Sequence, residues 1–252
     1  GVQTCALPIF NELIKKLDLP KEQMIFVHAD YNIEKFINEP FVVKTSEPFV
    51  FWLRKYKNYN VQEKEFDKLF LLYNRAARPH RILLLSLLQK NNLLTNSIVS
   101  TGKLDFEYIK QWNKNIYNNE LTEHDLNNLK TIENYSPDID DLEQYNPASY
   151  INTDHYESTF LSLVTETLYE SNITFLSEKI YKPIVMQQPF IVLGNPGLLE
   201  LLHKKGYRTF NEFWDESYDG ETNLVIRTKK IVSILLRSEE HTSELQSHHD
   251  LV

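Results

Sequence analysis

The chain has 252 residues, enough for one large domain or two smaller ones around a sizeable buried core. Hydrophobic residues make up 42% and charged residues 25%, the balance of a soluble globular protein, and no apolar run approaches the roughly 18 residues of a membrane span. A formal charge of -8 argues against a general nucleic-acid binder, and six glycines leave no loop of the G-x-G-x-x-G or Walker type.

The two ends read differently from the middle. Gly1–Ile9 (GVQTCALPI) and Arg237–Leu245 (RSEEHTSEL) are what opposite strands of one oligonucleotide encode, and that oligonucleotide resembles a common sequencing adapter. Segments 1–9 and 237–252 are therefore expected to be adapter-derived, leaving 10–236 as a native part that lacks both true termini. The only cysteine, Cys5, and the histidines His241, His248 and His249 then drop out of any disulfide or metal reading. A remainder without cysteine suits a reducing compartment, so the expected location is cytoplasmic.

Phe10, Leu13, Ile14 and Leu17 have helical spacing, and Pro20 closes that helix. Met24–Val27 is expected as a short buried strand, with His28 and Asp30 just after it. Phe41–Val43 and Pro48–Leu53 follow as further strand material, and the polar stretch Asn58–Glu65 is the expected linker. From Phe66 strands and helices alternate. Strands are expected at Lys68–Tyr73, Asn96–Ser100, Thr159–Thr165, Pro189–Leu193 and Tyr207–Phe210. Helices are expected at Pro79–Asn91, Phe106–Ile116, Leu121–Ile132, Ser177–Gln187, Pro196–Lys205 and Thr222–Leu236, with Thr122-x-x-Asp125 as a capping box and Ser177 as an N-cap. Asn134–Asp154 reads as an acidic surface loop. This rhythm predicts an α/β protein with a Rossmann-like parallel sheet over 66–236, behind the remnant of an N-terminal α/β domain over 10–65.

Chemistry concentrates in two places. Glu166 follows a buried strand, on the side where open α/β sheets bind ligands, and Ser177-Glu178-Lys179 opens the next helix. Free N–H groups, the helix dipole and a lysine there favour an anion, although dipole-favoured glutamate and solvated lysine explain the same spacing. Pro183 removes a hydrogen bond to the Lys179 carbonyl and should bend that helix. Arg75, Arg78, His80 and Arg81 crowd the first βα loop of the second domain, which is either a solvated loop or a diphosphate cradle.

Strand–Glu166, Ser177-Glu178-Lys179 and the Pro189–Gly194 strand together resemble the donor half of GT-B glycosyltransferases, in the pattern of α-1,3-fucosyltransferase-like enzymes. Asn74 and Arg81 extend the resemblance upstream, so that it covers 66–236. It implies transfer of a sugar from a nucleotide-sugar donor to a hydroxyl of a glycan or other acceptor, inverting and without a metal. Arg81 and Lys179 would hold the donor diphosphate and Glu178 the ribose, with Asn74, Arg75, Glu166 and Ser177 completing the donor site. Thr165-Glu166-Thr167 stands where the fucosyl enzymes carry Phe-Glu-Asn, so the resemblance implies a donor class and no particular sugar. No cofactor beyond that donor is implied.

Three further groups have a plainer reading beside the sharp one. Asp138-Ile139-Asp140 has the D-x-D spacing of a metal site but sits in a polar loop, so no metal is expected. His28 and Asp30 are candidates for a catalytic base, or a cap and an incidental histidine. Trp214–Asp219 either lines the donor crevice or packs Phe213 and Trp214 on the sheet. The alternatives to an enzyme are a nucleotide- or glycan-binding module of the same fold, or a structural protein using its acidic face.

Overall fold

The computed structural model describes residues 66–132, 151–170 and 174–240, the last three as backbone, together with the backbone of two short strands ahead of them. Its contacts divide the chain into two compact units: 1–48 with 172–175, and 49–171 with 176–252.

In the first unit β1 (Ile25–His28) pairs in parallel with β2 (Val42–Thr45), Ile25 opposite Val42 and His28 opposite Thr45. Both strands start one residue later than their sequence suggests. The expected helix at 10–17, the strand material at 48–53 and Asp30 lie outside the described residues.

The second unit is built on four parallel strands. They are β3 (Lys68–Tyr73), β4 (Ile98–Ser100), β5 (Thr159–Thr165) and β6 (Phe190–Leu193), in the spatial order β4-β3-β5-β6. Their runs, such as KLFLLY and FIVL, are apolar on both faces because helices cover both sides of a parallel sheet. β5 is buried along its whole length although it carries Thr159, Ser162 and Thr165. The Ser162 hydroxyl bonds to Gln188 Oε1 at 2.5 Å, while Gln188 Nε2 donates to the Thr159 and Tyr156 carbonyls at 2.6 and 3.0 Å. Buried polar atoms in the sheet are thereby satisfied.

Helix α1 (Pro79–Lys90) starts with proline at N1, which suits that position because its missing N–H would be unpaired anyway. It is apolar nearly all round and packs against the later helices α3 and α7, so it is a core helix with no wet face to speak of. α2 (Phe106–Asn115) is capped by Asp105, whose carboxylate accepts from the N–H groups of Glu107 and Tyr108. α3 (Glu123–Ile132) opens with the expected capping box: Asp125 N–H donates to the Thr122 hydroxyl and Thr122 N–H to the Asp125 carboxylate, at 3.2 and 2.9 Å. α5 (Glu178–Val185) encloses Pro183, α6 (Leu198–Lys204) follows β6, and α7 (Leu224–Glu240) closes the unit. The pattern is α/β with a Rossmann-like parallel sheet.

Three expectations are corrected. Tyr207–Phe210 is not a strand: the Phe210 N–H and the Thr209 hydroxyl both donate to the Glu216 carboxylate at 2.7 Å, which takes the donor a ladder would need. A short helix, α4 (Thr153–Ser158), begins inside the stretch read as acidic loop, whose residues 133–150 are outside the described part. Its six residues are too few for a periodic signal. α7 continues beyond Leu236 to Glu240, because Ser-Glu-Glu contains no glycine or proline to stop it.

Candidate functional site

β3 and β5 are neighbours, yet the chain leaves β3 towards β4 and β5 towards β6, in opposite directions across the sheet. The direction of succession reverses between them, so the C-terminal ends of β3 and β5 form the topological switch point. Asn74 joins the strands there. Its N–H donates to the Ser100 carbonyl and its Oδ1 accepts from the Thr165 hydroxyl, at 3.0 and 2.6 Å, while its buried Nδ2 has no partner among the described residues. Gly102 completes the junction, because a Cβ on it would collide with the Arg75 carbonyl oxygen.

The basic loop grips the turn that follows β5. Arg78 Nη1 donates to the Thr167 carbonyl at 2.9 Å, and Arg81 Nη2 donates to the Thr165 carbonyl at 3.2 Å and the Glu166 carbonyl at 3.4 Å. His80 Nε2 bonds to the same Glu166 carbonyl at 2.8 Å. His80 is buried, and that burial, aided by the Arg81 charge, pushes its pKa down to about 3. The imidazole is therefore neutral at ordinary pH with its proton on Nε2, facing the carbonyl. Arg81 is pushed down to about 10 by burial and by Arg78, and so keeps its charge at neutral pH. Arg75 is exposed.

Glu166 is fully buried one residue past β5. Its Oε1 accepts from the Ser177 N–H and its Oε2 from the Thr167 N–H, at 3.1 and 3.2 Å. Burial pushes its carboxyl up, opposed by Lys179 and by the Ser177 contacts. Ser177 caps α5, accepting from the Lys179 N–H at 3.3 Å. Lys179 Nζ lies 2.8 Å from Glu178 Oε1 and 3.2 Å from the Ser177 hydroxyl, with Thr167 Oγ1 at 3.5 Å. One turn on, burial pushes Lys182 down to about 8, with Glu178 opposing.

The structure thus brings Asn74, Arg81, Glu166, Ser177, Glu178 and Lys179 to one place, the turn over 165–167, and no contact joins the exposed Arg75 side chain to it among the described residues. The accessible cations there are Arg78 and Lys179, since Arg81 is only 4% exposed. His28 contributes backbone to β1, in the other unit; its side chain, Asp30 and Asp138–Asp140 are outside the described residues. Among the described residues no group of three or more His, Cys, Asp or Glu side chains is arranged to hold a metal. No described helix is long and apolar enough to cross a membrane.

The acidic run near the final helix has local partners. Asp219 accepts from the Leu198 and Leu199 N–H groups at 3.1 and 3.0 Å and so occupies the N-terminus of α6, while Asp215 caps the 3-10 turn at Glu216–Tyr218. Trp214 packs on Phe210, which meets Phe190 of β6 edge-on, while Phe213 is 40% exposed. Residues the sequence reading did not connect with the site are Tyr169, Arg227 and Lys182. One signal was present for Arg227: it falls in the helical stripe Leu224, Thr228, Ile231 and Leu235, where a charge is out of place.

Comparison with protein-family models, curated proteins and solved structures finds no match to this chain. What fold and site define is a doubly wound α/β domain with a cation-rimmed switch point.

Proposed function

We propose that the second unit is the donor-binding half of a GT-B-type glycosyltransferase, moving a sugar from a nucleotide-sugar donor to a hydroxyl acceptor with inversion. One observation carries the reading. Cations from two segments far apart in sequence, Arg78 and Arg81 on one side and Lys179 on the other, converge on the turn over 165–167 at the end of β5. That turn lies at the switch point, beside the N-terminus of the eight-residue helix α5.

Sugar transfer breaks the bond between the anomeric carbon and the diphosphate, and the developing negative charge sits on the departing phosphate oxygens. Arg78 and Lys179 supply positive charge that those oxygens can reach, and buried Arg81 adds to the field without contact. This is electrostatic stabilisation by preorganised groups and needs no metal. Glu178, held by Lys179, offers a carboxylate to the ribose hydroxyls.

Calorimetric titration with nucleosides and their diphosphates tests this. Lys179→Ala should weaken diphosphate binding about ten- to a hundredfold, the loss of one charge-assisted hydrogen bond, and change nucleoside binding less. Glu178→Gln should weaken both ligands alike. Diphosphate affinity unchanged in Lys179→Ala, or absent from the parent protein, would overturn the proposal.

A further inference from the structure

Arg227 stands out among the buried side chains. It is 2% exposed on the apolar face of α7, and burial pushes its pKa down, opposed by Asp219. Its Nη2 donates to the Tyr169 carbonyl at 2.9 Å, while Nε and Nη1 are buried without a hydrogen-bond partner among the described residues. The Asp219, Glu170 and Glu221 carboxylates favour its charge, yet two of its three nitrogens are buried without a hydrogen-bond partner among the described residues, which packing alone would not select. The cost has to be sought in what Tyr169 does.

Tyr169 belongs to the same turn as the site. Its ring stacks on His80, centroids 4.7 Å apart and planes 24° from parallel, and His80 in turn holds the Glu166 carbonyl. Arg81 holds the Thr165 carbonyl and Arg78 that of Thr167. The carbonyls of 165, 166, 167 and 169 are therefore all held by side chains from α1, from Arg78 just ahead of it, and from α7. Those contacts fix the face on which Thr167 meets Lys179 and Glu166 receives the Ser177 N–H. Arg227 anchors the far end of this row, and no other described side chain bonds to the Tyr169 carbonyl.

We infer that Arg227 is a positioning residue of the nucleotide site: through the Tyr169 carbonyl it holds the turn over 165–169 in the geometry that presents Thr167 and Lys179 to a diphosphate. This rests on the donor-site reading above. Preorganisation of this kind shows in ligand affinity more than in stability, because the bound geometry otherwise has to be ordered on binding.

The test uses the full chain and UDP, GDP and ADP as probes. Arg227→Met keeps the stem and the packing but lacks the donor; Arg227→Lys keeps a cationic donor. Arg227→Met should melt at or above the parent temperature yet bind the preferred diphosphate about tenfold more weakly, with faster hydrogen exchange confined to the amides of 166–170. Arg227→Lys should recover part of the lost affinity. Equal affinity in parent and Arg227→Met overturns the positioning role alone. A lower melting temperature with exchange raised throughout the sheet assigns Arg227 to packing and also overturns it. A parent that binds none of the three diphosphates overturns the donor-site reading, and this inference with it.

Discussion

His80 shows how one residue can make a site depend on pH without touching ligand. Its imidazole must stay neutral to sit buried beside two arginines, and burial holds its pKa at about 3 against an ordinary 6.5. The unfolded chain takes up a proton that the folded protein refuses. The stability tied to His80 is therefore complete above pH 6.5 and is lost as the pH falls from there towards 3. Between neutral pH and pH 5 the loss is about 2 kcal/mol, at roughly 1.4 kcal/mol per pKa unit. His80→Gln, which keeps an N–H for the Glu166 carbonyl, should flatten that acid limb in urea melts. Parallel pH profiles for parent and variant would show that His80 does not set it.

At the scale of elements, the helices that follow β3, β5 and β6 start on the C-terminal side of the sheet, and their starts are filled differently. Ser177 caps α5, Asp219 occupies the start of α6, and α1 begins at Pro79 with no side-chain cap and with cations around it. On the proposed donor-site reading, a ligand anion would be directed to α1 and α5, because Asp219 would repel it from α6. Asp219 has its own pH signature. Burial pushes its pKa from 3.8 up to about 6, although the N–H groups at the start of α6 oppose that rise. A raised carboxyl pKa means that the folded state binds the proton more tightly than the unfolded chain. Its contribution is full below about pH 4 and is lost as the pH rises through 6, the reverse of His80. Asp219→Asn should therefore gain stability relative to the parent as the pH is raised from 4 to 7. A constant difference between the two melting profiles would refute the assignment.

For the molecule as a whole, the described parallel sheet and its helices form a unit whose sheet order β4-β3-β5-β6 brings the basic loop after β3 and the turn after β5 together. The likeness of the chain's ends to opposite strands of one oligonucleotide leads to a separate expectation. Removing 1–9 and 237–252 should leave the melting temperature and the diphosphate affinity unchanged. Arg237, the first residue of the second segment, is exposed and donates to the Ser233 carbonyl of its own helix at 3.2 Å; the Asp215 carboxyl is held low by its Ser217 hydrogen bonds and, to a smaller extent, by the Arg237 charge. A cooperative drop in melting temperature on trimming would show that these segments are part of the fold.

The amino-acid sequence by itself determined the strands and helices whose signals are local. Lys68–Tyr73 and Thr159–Thr165 are mostly apolar runs of strand length, and Ser177 and Thr122-x-x-Asp125 cap helices with atoms only two or three residues away. The absence of a strand at Tyr207–Phe210 was not legible, because the Glu216 carboxylate that takes its backbone donor comes from beyond the next turn. The chemistry of the basic loop was legible as charge but not as geometry. Nothing in the order Arg78-Pro79-His80-Arg81 says that these side chains face carbonyls of 165–167, about half the unit away in sequence. Only the folded sheet decides that, by placing β3 beside β5 and so bringing the end of one strand within hydrogen-bond reach of the other. The same holds for Arg227, a helical cation in sequence and a buried anchor of Tyr169 in the structure. Its meaning lies in which neighbours exclude water from it, and burial is a property of the packed molecule that no single segment contains.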